Sequence, residues 1–469
     1  MPREAHAAFE LRSDRPDPVD LLELQAKTRV TELLPIRYKR MLTSELGYYR
    51  GAALAMAGDL SGTPATGFVV QACGDAHLGN FGIFASPERR LVFDINDFDE
   101  TLPAPWEWDV KRLAASLEIA GRSSGYGGKQ RARIVRESVS HYRLEIRRLA
   151  GMSNLEVWYT RGELDELEGR YRVILSRRER ELAGTDLASA DEELQSLPAI
   201  TARTGPPRIS SAPPLVVPLA DLPSGAGIAA QLRRIVAGYG RTLEPDRRYL
   251  ISQYEVADMA RKVSGVGSVG LRCWVVLLIG KDRGDRLFLQ LKEAQPSVLT
   301  TFAGASAMTN QGQRVVAGQR LMQASSDLFL GWHQASALPE PHAHQAAAES
   351  TTAADWIATD YYVRQLRDWK FSIATAQMTP PTMAAYGALC CRSLARAHAR
   401  SGDRIAIGTY LGQSAAFETA IAKFAVSYAD QNERDFAAFK AAVTSGHLPA
   451  GHGARGRSTV NRASGPGPR

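Results

Sequence analysis

The sequence predicts an α+β protein, with a largely helical part and a smaller antiparallel-sheet part. Apolar residues recur at helical spacing through residues 18–60, 128–196 and 386–443. β-Branched and apolar runs broken by short turns fill 66–95 and 254–293. A stretch rich in Pro, Ser and Gly, 202–228, separates the two kinds of pattern and marks a linker or long loop.

At 469 residues the chain can hold two or three domains, and 44% hydrophobic with 23% charged residues is ordinary globular composition. The expected division is a flexible N-terminus (1–17), a helical lobe with an acid-rich loop (18–201), the linker (202–228), a sheet lobe (229–375), returning helices that complete the helical lobe (376–445), and a disordered basic tail (446–469).

The elements follow in order. Leu21, Leu22, Leu24, Val30, Leu33 and Leu34 give the first helices an apolar face, and Tyr48, Tyr49 and Arg50 are assigned to packing and surface. Thr66 to Ala72 predicts a buried strand, and Ile83–Ala85 with Leu91–Ile95 a hairpin across the turn SPERR. After the prolines of LPAP a helix begins, with Asp109 as its expected N-cap. Residues 128–196 predict helices with charges paired along solvated faces. Residues 310–333 read as a helix, 356–369 as containing a strand, 386–400 as an amphipathic helix, and 414–443 as another helix. His398 and Asp403 are placed at a helix end.

Several function classes recede on composition. The net charge of +7 suggests nucleic acid, but Arg455, Arg457, Arg462 and Arg469 sit in the basic tail, so nucleic-acid binding is disfavoured. Cysteines 73, 273, 390 and 391 form no CxxC pair, which gives no zinc or disulfide pattern and suits a reduced compartment. The longest strongly apolar run, Trp274 to Ile279, is too short to span a bilayer, so a soluble, cytoplasmic protein without membrane contact is expected.

The chemistry concentrates in Cys73 to Glu100, which holds Asp75, His77, Asn80, Asp94, Asp97, Asp99 and Glu100. Two bare carboxylates about 4 Å apart repel by roughly 4 kcal/mol at an effective dielectric near 20. Either some of these acids face water or a cation sits among them, and oxygen donors favour magnesium carrying a nucleotide. A second stretch begins at Tyr254. Gly265, Gly267 and Gly270 form GxGxxG, with Ser268 between them, but strand-like RCWVVLLI follows where a dinucleotide fold needs a helix. Glycines on a hairpin resemble the phosphate-covering loop of protein kinases. Alternation then puts Phe288, Gln290 and Lys292 on one face of the next strand, with Lys292 in the place of the phosphate-contacting lysine; the bland alternative is a solvated Lys292–Glu293 pair.

GDAHLGN resembles the GDxHxxN catalytic loop of aminoglycoside and small-molecule phosphotransferases of the kinase-like fold, and LVFDINDFDE resembles the metal-binding aspartate segment that follows it. The run through FDINDFDE, PWEWDVKRLAASL, LQLKEA and YYVRQLRDWK is similar, over most of 20–445, to the bacterial domain-of-unknown-function family 2252. The resemblance implies a two-lobed kinase-like fold, circularly permuted because the catalytic-like loop precedes the glycine loop. It implies Asp75 as the base, with His77 in the same loop, and Asn80 as a magnesium ligand. Asp94 by spacing, or Asp97 by its DFD context, would be the second ligand. Lys292 would contact ATP phosphates beneath Gly265, Gly267, Ser268 and Gly270. Asp99 and Glu100 fall to supporting or surface roles.

The departures are Cys73 in place of the histidine usual before GD, and no glutamate after Lys292 to fix it. The function expected is an ATP- and magnesium-dependent phosphotransferase acting on a small-molecule or protein hydroxyl. The alternatives are a metal-dependent phosphohydrolase built on His77 and the aspartates alone, and a catalytically silent nucleotide-binding module.

Overall fold

A computed structural model describes residues 1–162, 200–201, 207–263, 265–333, 359–366 and 378–449. The fold is mixed α+β with antiparallel sheets. The helical body is built from both ends of the chain. Trp106–Ser123 and Gly128–Ala150 pack with Pro380–Ser401 and Ala416–Thr444 around one apolar core, to which Leu113, Tyr142, Leu394 and Phe417 all contribute. The returning helices thus cover apolar faces of the earlier ones.

Pro380–Ser401 starts cleanly: Thr379 caps it, accepting from the Thr382 N–H, and Pro380 occupies the first turn where a missing N–H costs nothing. It is buried on nearly every side rather than half-exposed, so the amphipathic expectation gives way to a central helix. His398, expected at a helix end, lies fully buried in its last turn, and Asp403 caps the next helix, Arg404–Leu411.

The six-stranded sheet runs, in spatial order, Gly331–His333, Tyr361–Gln365, Arg286–Glu293, Cys273–Ile279, Glu255–Lys262 and Val216–Pro218. Every pairing is antiparallel. Leu291 stands opposite Trp274 and Val363, and that face packs against the helix Gly225–Tyr239. Lys292 stands opposite Cys273 and Tyr362 on the other face. The expected alternation of Lys292 and Leu291 is thus the alternation of the sheet.

Several boundaries differ from the sequence reading. The N-terminus is docked, not free: His6 is fully buried against Trp106 and Phe417, and Arg15 bridges Asp59 and Asp435. From the expected linker, Val216–Pro218 joins the sheet as an edge strand, where a proline at the end of the pairing is tolerated. Leu102–Pro105, read as a turn, pairs with Val69–Ala72. The single helix expected over 310–333 is a helix, Gln311–Met322, followed by the strand Gly331–His333. Residues 163–199, the ends of the 356–369 stretch and the tail beyond 449 lie outside the described residues.

Candidate functional site

The loop Gly74–Asn80 is held from beneath. Asp109 does not cap its helix; Pro105 occupies that position and Asp109 lies in the first turn, 1% exposed. Its carboxylate accepts from the Cys73 and Gly74 N–H groups, 2.6 and 2.9 Å away. His398 Nε2 lies 3.2 Å from the same carboxylate, and its Nδ1 is 2.8 Å from the Tyr142 hydroxyl. A buried chain thus runs from the returning helix to the loop. Gly74 has φ +79°, and a Cβ there would run into the Glu100 carbonyl, so only glycine lets the loop pass this close to the acidic strip.

Within the loop, Asp75 and His77 come together. Asp75 Oδ2 is 3.7 Å from His77 Nε2, while its Oδ1 accepts from Arg112 Nε at 2.7 Å and lies 2.5 Å from Arg112 Nη2. Burial raises the Asp75 pKa to about 6 against the lowering effect of Arg112. His77 Nδ1 accepts from the Gly79 N–H, and burial with the charges of Arg50 and Arg112 holds the imidazole well below its ordinary pKa, hence neutral. Asn80 donates its side-chain N–H to the Asp75 carbonyl at 2.7 Å, which fixes the turn.

The acidic strip divides. Asp94, at the end of Leu91–Ile95 and opposite Gly82, takes a hydrogen bond from the Ile95 N–H and faces Arg396 and Arg400; burial raises its pKa and Arg396 opposes the rise. Asp97 and Asp99 turn instead toward the sheet. Lys292 Nζ lies 3.7 Å from Asp97 and pairs directly with Asp99. The Tyr362 hydroxyl donates to Asp99 Oδ1 at 2.7 Å, and the Ser268 hydroxyl to Asp99 Oδ2 at 3.3 Å. Lys292 is 2% exposed; burial pulls its pKa down, but Asp97 and Asp99 outweigh it and hold the ammonium well above its ordinary value.

Lys292 is therefore fixed by the acidic strip rather than by a helix glutamate, and it is not a solvated partner of Glu293, which pairs with Arg272. The helix after Lys292 contributes Arg314, whose guanidinium donates to the carbonyls of Asp99, Thr101 and Gln295.

The glycine loop spans the turn between Glu255–Lys262 and Cys273–Ile279, with Val266–Ser268 forming a short helical turn. A Cβ at Gly265 would meet nothing, and one at Gly267 would touch only the Arg50 carbonyl at 3.4 Å. Gly270, at φ +94°, lies against Arg29, and its carbonyl accepts from the Val30 N–H.

Three contributors escaped the sequence reading. Asp99, expected in a supporting or surface role, is the lysine's main partner. Arg112 is the counter-ion of Asp75, and Arg50, assigned to the surface, lies against His77 and Gly79. Arg112 had a readable signal, a cluster of charges within a helix of apolar pattern, and the structure buries it together with Glu107, Asp109, Lys111 and Glu118. Arg50 had none. Cys73 is a fully buried thiol, 3.5 Å from the Asp97 carbonyl, and burial pushes its pKa far up.

Among the described residues no group of three or more His, Cys, Asp or Glu side chains is gathered to hold a metal. Asp97, one-third exposed at the mouth of this arrangement, and the Asn80 amide are hard oxygen donors of the kind that bind magnesium alongside phosphate and water.

A carboxylate-bearing loop, a lysine and a glycine turn meeting at one acidic strip define a polar site between a sheet and a helical body. The chain belongs to a family described as uncharacterised proteins conserved in bacteria, DUF2252, whose model matches residues 29–442. No curated protein and no solved structure matches it.

Proposed function

We propose that the chain is an ATP- and magnesium-dependent phosphotransferase of kinase-like, permuted two-lobed fold, acting on a small-molecule or protein hydroxyl. One observation carries the reading: Lys292, on the sheet, meets Asp97 and Asp99 on the acidic strip while Ser268 of the glycine loop reaches the same Asp99 carboxylate. Residues far apart in sequence thereby converge where phosphate would lie between a cation and the glycine turn.

In this reading Asp75 accepts the acceptor hydroxyl's proton as its oxygen attacks the γ-phosphorus of ATP and ADP leaves, and Arg112 orients the Asp75 carboxylate with neutral His77 beside it. A carboxyl with a pKa of about 6 is ionised at neutral pH yet basic enough to share a proton. Lys292 exchanges part of its contact with Asp99 for phosphate oxygen, and Asp97 and Asn80 are the residues that would hold magnesium. Bound magnesium supplies charge neutralisation at the phosphates. Asp94, enclosed by Arg396 and Arg400, serves the reading less well as a ligand than Asp97.

Nucleotide binding and turnover by the wild type, Asp75→Ala and Lys292→Ala test this. Binding retained in Asp75→Ala with turnover lost, and binding weakened in Lys292→Ala, are expected. No nucleotide binding by the wild type, or undiminished binding in Lys292→Ala, refutes it. The product's mass distinguishes phosphoryl from nucleotidyl transfer.

The silent-module alternative draws on one observation, the grip of two Arg112 nitrogens on Asp75 Oδ1. ATP binding without turnover under any acceptor would favour it.

A further inference from the structure

On the opposite face of the sheet from Lys292 lies a cavity of about 880 Å³, between the sheet, the helix Gly225–Tyr239 and the segment Arg29–Leu33. Its volume is that of a site for a compact organic molecule. Its walls have two characters. Leu222, Ile228, Ile235 and Trp274 give it an apolar floor, whereas Arg29, Arg234, Arg241, Arg261 and Arg272 stand around it.

Glu32 is the only carboxylate among the described lining residues, and it is engaged by Arg261 at 3.0 Å. Arg272 is answered by Glu293 from outside the cavity. Arg29 donates through Nη1 to the Val269 carbonyl, and its buried Nε has no hydrogen-bond partner among the described residues. Arg234 and Arg241 are exposed at the rim and face no described carboxylate. Arg261 and Arg272 are thus answered by Glu32 and Glu293, and the positive potential over the apolar walls comes chiefly from the rim pair Arg234 and Arg241, with Arg29 behind them. A wholly apolar guest would leave that potential unanswered, and a small inorganic anion would leave the floor wet.

We infer that this cavity is a second binding site, separate from the Lys292 site, for an amphipathic anion: an aromatic or aliphatic body of compact size carrying a carboxylate, sulfonate or phosphate group. The body lies on Trp274 and Ile235, and the anionic head sits among Arg29, Arg234 and Arg241, where guanidinium groups pair with planar or tetrahedral oxyanions. Arg29 also braces Gly270 and Val269, so the occupant touches a residue that supports the glycine loop.

The test uses the full chain and two fluorescent probes of nearly equal shape, 8-anilinonaphthalene-1-sulfonate and its neutral counterpart N-phenyl-1-naphthylamine. The sulfonate is expected to bind with one-to-one stoichiometry and at least tenfold tighter than the neutral probe. In Arg234→Glu/Arg241→Glu, both rim positions, sulfonate affinity falls at least tenfold while the neutral probe is unaffected. Gly227 lines the cavity with open space beside it, so Gly227→Phe fills the space and blocks both probes. Unfolding midpoints of both variants within a few degrees of wild type establish that they are folded. Equal affinity for the two probes, sulfonate affinity unchanged by the charge reversal, or binding of both probes unchanged by Gly227→Phe would each overturn the inference.

Discussion

The Lys292–Asp99 contact makes an asymmetric energetic prediction. Lys292 is 2% exposed and Asp99 19% exposed. Removing the aspartate strands a buried ammonium with only Asp97, 3.7 Å off, as its counter-charge. Breaking a buried pair in that way costs about 3–5 kcal/mol, because the remaining charge keeps its desolvation penalty and loses its partner. Asp99→Asn retains acceptor oxygen for Tyr362, so its cost should sit at the lower end, about 3 kcal/mol.

Lys292→Met replaces the lysine by an apolar chain of similar length. Asp99 keeps the Tyr362 and Ser268 hydroxyls and some water, so the cost should be smaller, about 1–2 kcal/mol. With both changes made no charge is stranded, and the double variant should cost less than the sum by about 1–3 kcal/mol. Urea unfolding of the four proteins, read at equal slope, measures the cycle. Costs that add to within about 0.5 kcal/mol would show that the contact is not coupled and would refute the reasoning.

Three further outcomes are expected. The pH profile of turnover should show an acid limb near pH 6 set by Asp75, and Arg112→Gln, which removes a group that lowers that pKa, should move the limb upward; a downward move or no move contradicts the assignment. Burial pushes Glu100 up to about 7, so its proton is bound more tightly in the folded chain. Its contribution is fully present below about pH 4.5, the unfolded value, and is lost as pH rises through about 7, at a cost of up to about 3 kcal/mol. Glu100→Gln should therefore raise the melting temperature at pH 8 and leave it nearly unchanged at pH 4, a comparison that thermal melts at the two pH values decide. Gly74→Ala combines a positive φ with a collision at the Glu100 carbonyl and should cost about 2 kcal/mol or more, read as a lowered urea midpoint.

The sequence carried the local devices well. Apolar, β-branched runs marked the strands after the glycine loop and period-two alternation the face of Lys292, because both are set by a strand's own residues. The hairpin Phe81–Ala85 with Leu91–Ile95 was legible for the same reason. Contacts made across long stretches of chain were not. Asp99 looked like one acid among five, and only tertiary packing turns it toward Lys292, 193 residues away. Asp109 carried a helix-capping signal, and burial converted it into an acceptor for the Cys73 and Gly74 N–H groups. Val216–Pro218 was hidden by the prolines and serines that flank it, since edge pairing needs so few residues that composition outweighs pattern.

The way the helical body is shared between the two ends of the chain bears on its birth at the ribosome. Trp106, Leu113, Leu117 and Tyr142 are made early, yet the helices that help cover them begin only at Pro380. At about 5–20 residues per second, the intervening stretch of more than two hundred residues occupies roughly ten to forty seconds. Through that interval the nascent chain shows a wide apolar face whose cover has not been synthesised. The sheet between them has its own apolar core and can assemble meanwhile. Of the two halves of the site, the one bearing Lys292 is thus ready first, and the loop bearing Asp75 gains its anchor at His398 only when the last helices arrive.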